Sequence, residues 1–456
     1  MKQYFSHLEV YEEMEKYEGK TLGEIDLHST EVSRKSYVGH LIEKSIFEYE
    51  PNSKSFPDLD YLDLEIKATP VKKVKNNYVS KERLVLNIIN YCEENWNNFE
   101  DSSFWKKNKN LLIVFYEYFL NHPKTDYKIL KSIIYKYPEE DFDVILNDWL
   151  IIAQKVINGK AHEISERDTL YLSACTKGKN HESMRKQPFS NILAKQRAYS
   201  FKPSYMTTVF NDYVVRQKNN EKIINRLNFK IGSFNLQDSI MELFKPFFGK
   251  TTSELIEILN LDIDENSKSI NSLIINKILG IKRDIKEIDE FKKAGILPKT
   301  IRIESNGKIK ESMSFPTFKF KEIVDEIWEE SKLYNIVTNS QFLFIIFKDL
   351  EGTEEYRLEK VQFWNMNDDD IEECKTVYER TKEIIKNGVI ITKKGNKVKN
   401  NLPSQKESNI MHVRPHAQDR DDVYELPDGR YLTKQCFWLN REYIMQVISN
   451  DGKNNE

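Results

Sequence analysis

Pro57-Asp58, six intervening residues, and then Glu65-Ile66-Lys67 set two carboxylates and an amine in the arrangement that metal-assisted phosphodiester cleavage needs. Mg²⁺ takes oxygen ligands, and only one or two of them from protein carboxylates, the rest coming from water and phosphate. Asp58 and Glu65 can supply those two. Such an ion acidifies an attacking water and neutralises charge building on phosphorus, while a nearby lysine orients that water or steadies the phosphorane. Leu62, Leu64 and Ile66 alternate with Asp63, Glu65 and Lys67, the two-residue period of a strand with one buried face, so Glu65 and Lys67 point the same way. The string alone is weak, because a solvated strand face also produces Glu-x-Lys.

The elements that must hold these groups are legible around them. Val38, Leu41, Ile42 and Ile46 recur at helical spacing within 37–49, with Glu43 beside the stripe. LLIVFYEYF at 111–119 predicts a buried strand, and 147–162 predicts a helix. Strands and helices mix, so the fold class is α/β with an α+β mixed sheet. A chain of 456 residues exceeds one ordinary core. Polarity rises over 213–232, which is expected to link a domain at 1–212 to a second at 233–456. The Gly/Asn/Lys-rich stretch 392–408 is expected to be a mobile loop.

Composition excludes more than it selects. With 39% hydrophobic and 12% aromatic residues the chain can build packed cores. The N-terminus MKQYFSHLEVYEE has no apolar leader and no run of ~18 apolar residues occurs, so a cytoplasmic protein without membrane contact is expected. Cys92, Cys175, Cys374 and Cys436 are too scattered for a zinc or disulfide pattern. His412 and His416 are four apart, but Pro415 between them breaks a helix and no acidic partner has ligand spacing. No Gly-rich phosphate loop of the P-loop type is present. Net charge is −3, so any polyanion-binding surface must be local. Between Tyr171 and Lys202 seven Lys/Arg face a single acid, Glu182, with Tyr199, Phe201 and Tyr205 interleaved at the end. Composition alone reads that stretch as a solvated basic face.

The surrounding motifs are more specific. Lys35-Ser-Tyr-Val38-Gly39-His-Leu-Ile-Glu43 precedes the Asp58…Glu65-Ile66-Lys67 strand, and Lys107 precedes LLIVFYEY. This order resembles the MutH family of GATC nucleases. Further along, SKERLVLNIINY at 80–91, GKAHE at 159–163 and CTKG…QPFS…KQRAYSFK at 175–202 resemble the Sau-type GATC restriction enzymes. The resemblance implies that Glu43 is an added acid of the site, Lys107 a second basic catalytic residue, and Lys35 a DNA contact. It also turns the basic stretch into a DNA-recognition segment. There lysine and arginine bind phosphates or guanine edges and glutamine reads adenine, with Lys177, Lys179, Arg185, Gln187, Lys195, Arg197 and Tyr199 as the expected contacts. Two departures separate the chain from the repair branch. Cys175-Thr176-Lys177 stands where that branch has Arg-Pro-Lys, and Ser200 stands where its methylation-sensing tyrosine sits.

A faint internal repeat accompanies these motifs. LIEKSIF (41–47) faces IINKILG (274–280), Asp58–Lys67 faces Glu290–Lys299, SKER (80–83) faces IKES (309–312), and LLIVFYEY (111–118) faces FLFIIFKD (342–349). The basic segment faces HVRPHAQDR (412–420) and YLTKQCFW (431–438). In that alignment Glu43 becomes Asn276, Glu65 becomes Leu297 and Lys107 falls near Asn339, while Lys67 is kept as Lys299. The Sau-type resemblance implies two MutH-like domains, the second a degenerate, non-catalytic copy that binds DNA through Arg414 and Lys434. It further implies a type II restriction endonuclease that uses Mg²⁺ and double-stranded DNA, cuts GATC and, given Ser200, is indifferent to adenine methylation. A companion methyltransferase would act on the same site without obligatory contact. One site per chain on two-fold symmetric DNA leads us to expect a monomer in solution that pairs to a dimer on DNA. The alternative is a mismatch-repair nicking enzyme activated by a MutL-type partner, against which the extra half and Ser200 both count.

Overall fold

Five consecutive apolar residues, Leu111–Phe115, are wholly buried because the strand they begin has a neighbour on each side and both faces covered. That strand organises the first of two units into which the chain divides in the computed structural model, Met1–Asn235 with Glu287–Gly295; the second is Leu236–Lys286 with Ile296–Glu456. The structure describes residues 2–26, 36–50, 55–74, 77–120, 122–177, 183–216, 221–227, 229–232, 234–262, 269–310, 312–350, 353, 355–394 and 397–449. No helix among them is long and apolar enough to cross a membrane.

In the first unit, helices α1 (His7–Glu15), α2 (Leu22–Ile25) and α3 (Tyr37–Leu41) come first, α3 running on as a π turn over Ile42–Ile46. Then follow β1 (Glu65–Val74), β2 (Asn77–Ser80), β3 (Leu84–Ile88), α4 (Ser103–Asn108), β4 (Leu111–Glu117), β5 (Lys128–Tyr135) and α5 (Glu139–Ile157). Strands β6 (Leu172–Thr176), β7 (Met184–Gln187), β8 (Ser190–Lys195), β9 (Arg197–Phe201) and helix α6 (Pro203–Phe210) complete it. The main sheet has the order β2-β1-β4-β5, with β1 parallel to β4 and the other pairs antiparallel. A second sheet has the order β3-β9-β6, and β7 and β8 form a separate ribbon. Ile66, Leu112 and Val114 share a core with Leu41, Ile42 and Ile46, so the opposite face of β1 is left for Glu65 and Lys67. The helix expected at 147–162 begins earlier, at Glu139, where Glu139, Glu140 and Asp141 occupy its first turn.

The second unit opens with α7 (Leu236–Phe244), α8 (Thr252–Ile258) and α9 (Ile270–Leu279). The chain then returns to the first unit as α10 (Asp289–Ala294), where Lys293 is buried between Asp141 (2.6 Å) and Asp289 (2.8 Å). Back in the second unit come β10 (Ile296–Ile303), β11 (Met313–Phe318), α11 (Phe320–Ile323), α12 (Lys332–Asn339), β12 (Gln341–Asp349), β13 (Tyr356–Trp364) and α13 (Asp368–Asn387). The hairpin β14 (Ile391–Lys394) and β15 (Lys397–Asn400) takes up the first part of the stretch expected as a loop at 392–408, and 401–408 carries neither helix nor strand. The remaining elements are β16 (Met411–Pro415), β17 (Val423–Glu425), β18 (Tyr431–Thr433), β19 (Gln435–Leu439) and α14 (Arg441–Ser449).

Register reveals how closely the second unit repeats the first. Glu65 lies opposite Leu111 and Lys67 opposite Ile113, while Leu297 lies opposite Phe342 and Lys299 opposite Phe344. The alignment of 111–118 with 342–349 therefore places Leu297 where Glu65 stands. Both antiparallel partners of these strands carry a bulge at the same place, Phe115/Tyr116 in one and Ile346/Phe347 in the other. The smaller sheets agree as well: β3-β9-β6 matches β11-β19-β16, with irregularities at Val85/Ile88 and Ser314/Thr317. A repeated Gly-Lys-Thr-x-x-Glu, at 19–24 and 249–254, forms a capping box in each copy, through Thr21 with Glu24 and Thr251 with Glu254. Each also pins its glycine to a strand, Gly19 N–H to Ile129 O and Gly249 N–H to Leu358 O, both 2.8 Å.

Candidate active site

A short closed loop brings Asp58 to Glu65. Leu59 and Leu64 exchange backbone hydrogen bonds of 3.0 and 3.2 Å, and the chain between them turns through Asp63 at φ 49°, a left-handed position that aspartate tolerates better than most residues. Each acid then accepts from a main-chain N–H of the other's segment. Asp58 N–H donates to Glu65 Oε2 at 3.0 Å, and Ile66 N–H donates to Asp58 Oδ2 at 3.0 Å. Both carboxylates are thereby oriented by main chain.

Two lysines meet the other oxygen of Glu65. Lys67 Nζ lies 2.6 Å from Glu65 Oε1, as its place two residues along β1 requires, and Lys107 Nζ lies 3.6 Å from the same oxygen. Lys107 sits in the last turn of α4, whose start is fixed by Ser102 Oγ accepting from Trp105 N–H at 3.1 Å. Glu65 is 2% exposed, and burial raises its carboxyl above the usual range against the opposing pull of Lys67. Glu43 stands in the π turn that extends α3, a helical irregularity common at functional sites. Burial first, and then the charges of Asp58 and Glu65, push its carboxyl up to about 7.

Three crowded acids against two lysines form a donor set suited to a hard divalent cation. Among the described residues no group of three or more His, Cys, Asp or Glu is placed to hold a metal ion. Mg²⁺ does not require such a group, because it keeps several waters and takes one or two carboxylates. Asp58 and Glu65 are two carboxylates that could serve in that way, and Glu43, Lys67 and Lys107 line the same cluster.

The basic segment divides into an outer and an inner part. Arg185 and Lys195 are exposed on the β7–β8 ribbon, and Lys177 is half-buried at its base. Lys35 and Lys179 lie outside the described residues. Gln187 is buried: its Oε1 accepts from Ala161 N–H (2.9 Å), and its Nε2 donates to Ile192 O (2.6 Å) beside His162 Nδ1 (3.2 Å). Arg197 is buried and donates to Ala174 O at 2.6 Å, and Tyr199 is fully enclosed with its ring against Phe104. The expectation that Gln187, Arg197 and Tyr199 touch DNA is therefore revised, since the structure directs their side chains into the protein. All of β9 is buried because it is the central strand of its sheet.

In the second unit Arg414 is exposed and stacks on Trp438, 4.4 Å from the ring centroid. Sequence reasoning passed over Trp438, because its place diagonally across from Arg414 follows only from the β16–β19 register, which sets Arg414 opposite Cys436. Lys434 is ion-paired with Asp422 and lies over the Tyr424 ring, so its charge is already answered.

Two comparisons with known proteins bear on this geometry. A family profile described as DNA mismatch repair enzyme MutH matches residues 47–148 and, a second time, 279–376. The type II restriction enzyme Sau3AI of Staphylococcus aureus is 35% identical over 493 aligned positions, covering 99% of this chain and 100% of that protein. The first profile match contains Asp58, Glu65, Lys67 and Lys107, and the second contains Leu297 and Lys299.

Proposed function

This chain belongs to the MutH-like type II restriction endonucleases, site-specific deoxyribonucleases, and from that premise we propose that it cuts both strands of DNA at GATC with Mg²⁺, using the cluster in its first unit. The observation that carries the reading is the clasp of Asp58 and Glu65 with Lys67 and Lys107 on one carboxylate oxygen. Held by Asp58 and Glu65, a divalent cation would acidify water and neutralise charge on the scissile phosphate. Lys67 would orient the attacking water or steady the phosphorane, Lys107 would hold Glu65 and add positive charge, and Glu43 would complete the acidic wall.

The second unit is read as an inactive DNA-binding copy that acts on the first allosterically, with Arg414 on phosphate or guanine. Indifference to adenine methylation is supported by Ser200, whose buried hydroxyl lies 3.0 Å from that of Ser173 and offers no group to an N6-methyl. One catalytic cluster facing a two-fold symmetric site favours a monomer that pairs on DNA, in a cytoplasm where a methyltransferase protects the same sequence. Digestion of plasmid with and without Mg²⁺, with the cut ends sequenced, tests the proposal. Duplex cleavage at GATC only in the presence of Mg²⁺ is expected, on adenine-methylated and unmethylated plasmid alike. Nicking that depends on an added MutL-type protein would favour the repair reading.

A further inference from the structure

The β7–β8 ribbon combines features that the catalytic cluster does not use. Phe189, Ile192 and Leu193 are 59%, 55% and 46% exposed, three apolar side chains left in solvent along one ribbon. Arg185 and Lys195 flank them, and residues 183–202 contain no Asp or Glu. The ribbon is also firmly seated. Its turn end is held by the Gln187 amide and by Gly159, where a Cβ would come within 2.7 Å of Phe189 O, and its open end by Tyr91 Oη donating to Lys195 O at 2.9 Å.

The matching segment of the second unit is the control. Between β16 and β19 the β17–β18 ribbon occupies the same place in the chain order, yet residues 416–434 hold Asp419, Asp421, Asp422, Glu425 and Asp428 against Arg420, Arg430 and Lys434, the last two paired with Asp428 and Asp422. One scaffold therefore carries an apolar and cationic ribbon in the catalytic unit and an acidic one in the other. Only the first complements a polyanion.

Resting on the nuclease reading above, we propose that the β7–β8 ribbon enters the major groove of the substrate, with Arg185 and Lys195 on phosphates or guanine edges and Ile192 and Leu193 against thymine methyl groups. The major groove is wide enough for a two-stranded ribbon, and the thymine 5-methyl is the one apolar mark it displays. A preformed ribbon loses little conformational freedom on entering.

The test uses full-length protein and duplexes containing the sequence actually cut, with thymidine or with deoxyuridine, which lacks the methyl. Wild-type kcat/KM should fall about fourfold for each contacted methyl removed. In Ile192→Ser/Leu193→Ser, both positions being exposed, the Tm should hold, cleavage of the thymidine duplex should slow, and the deoxyuridine penalty should disappear. Arg185→Ala should lower the slope of log binding constant against log salt by about one. An undiminished deoxyuridine penalty in the double variant overturns the proposal, as does a variant whose only defect is altered sedimentation, which would place the ribbon between copies of the chain. A wild type that cuts neither duplex sinks the nuclease reading instead, and equilibrium binding to the same two duplexes then decides the ribbon.

Discussion

The two units have nearly the same hydrogen-bond skeleton and differ where the chemistry lies. Pairing, bulges and capping boxes coincide, yet Glu65 has become Leu297 and Glu43 has become Asn276. Lys299 keeps the place of Lys67 without the carboxylate that Lys67 meets, and burial lowers its pKa. Backbone register thus outlasts the function it once positioned, because sheet pairing depends on alternation and burial rather than on the identity of one side chain. The interior has been rewired too. Asp148 on α5 accepts from the N–H groups of Leu170, Tyr171 and Leu172 at 2.7–2.9 Å, anchoring the chain that leads into β6. In the second unit Val377 stands at that point of α13, and Glu373, one turn earlier, performs the task by accepting from Ser408 Oγ (2.5 Å) and Asn409 N–H (3.2 Å) ahead of β16.

The sharpest way to break this contrast is chemical. Asp58→Ala, Glu65→Ala or Lys67→Ala should reduce cleavage by about three orders of magnitude or more, with DNA binding largely kept, since each removes a group whose value lies in the transition state. Leu297→Ala should leave turnover per bound site unchanged. Single-turnover rates on a short duplex measure both, and normal cutting by Glu65→Ala would move the active site elsewhere. Next in size is stability. Asp148→Ala leaves three backbone donors unanswered beside the buried Lys202, whose pKa burial already lowers, and should cost ~3–5 kcal/mol. Glu373→Ala, at a half-exposed position, should cost ~1–2 kcal/mol. Urea unfolding of the two full-length variants gives the order, and equal losses would mean that the two anchors are equivalent.

Much of this site was readable before the fold. Alternation over 62–67 put Glu65 and Lys67 on one face, and the run at 111–115 identified the buried neighbour that β1 needs. Less could be read in the basic segment, for a physical reason: charge counts do not reveal which strand becomes central. Arg197 and Tyr199 fall on β9, flanked on both sides, and a bulge between Arg185 and Gln187 interrupts the alternation that would have kept Gln187 on the exposed face with Arg185. The hairpin at 391–400 had a signal, Gly395-Asn396 between two strand-like tetrads, that the polar composition obscured. Asp289 and Lys293 look like an ordinary exposed helical pair in sequence. Only the tertiary structure shows Lys293 buried beside Asp141.

If the second unit still binds DNA, its effect on the first should be modest and separable. Coupling between linked sites is typically worth ~1–3 kcal/mol, so a plasmid with two sites should be cut about 5- to 150-fold faster per site than one with a single site. Arg414 is the residue to remove, since it is exposed and braced by Trp438. Arg414→Ala should erase the two-site advantage while sparing cleavage of the single-site plasmid. Identical per-site rates in the wild type would leave the second unit as scaffold.

The smallest expected effect is none, and it probes how far the copies have diverged. Asn276→Glu with Leu297→Glu, placed in a Glu65→Ala background, returns two carboxylates to the positions of Glu43 and Glu65. Cleavage should nevertheless stay at the background level. The acid aligned with Asp58 is Glu290, which lies on α10 in the first unit and accepts from the N–H groups of Ile223 and Ile224 at 2.8–3.2 Å. That leaves the rebuilt site without its second oriented ligand. A new glutamate at 297 would also lack the backbone clasp that fixes Glu65, and a ligand without outer support loses much of its affinity for metal. Recovery of Mg²⁺-dependent cutting in that variant would show that two acids and Lys299 suffice on this scaffold, and that the second unit lost its chemistry by substitution alone.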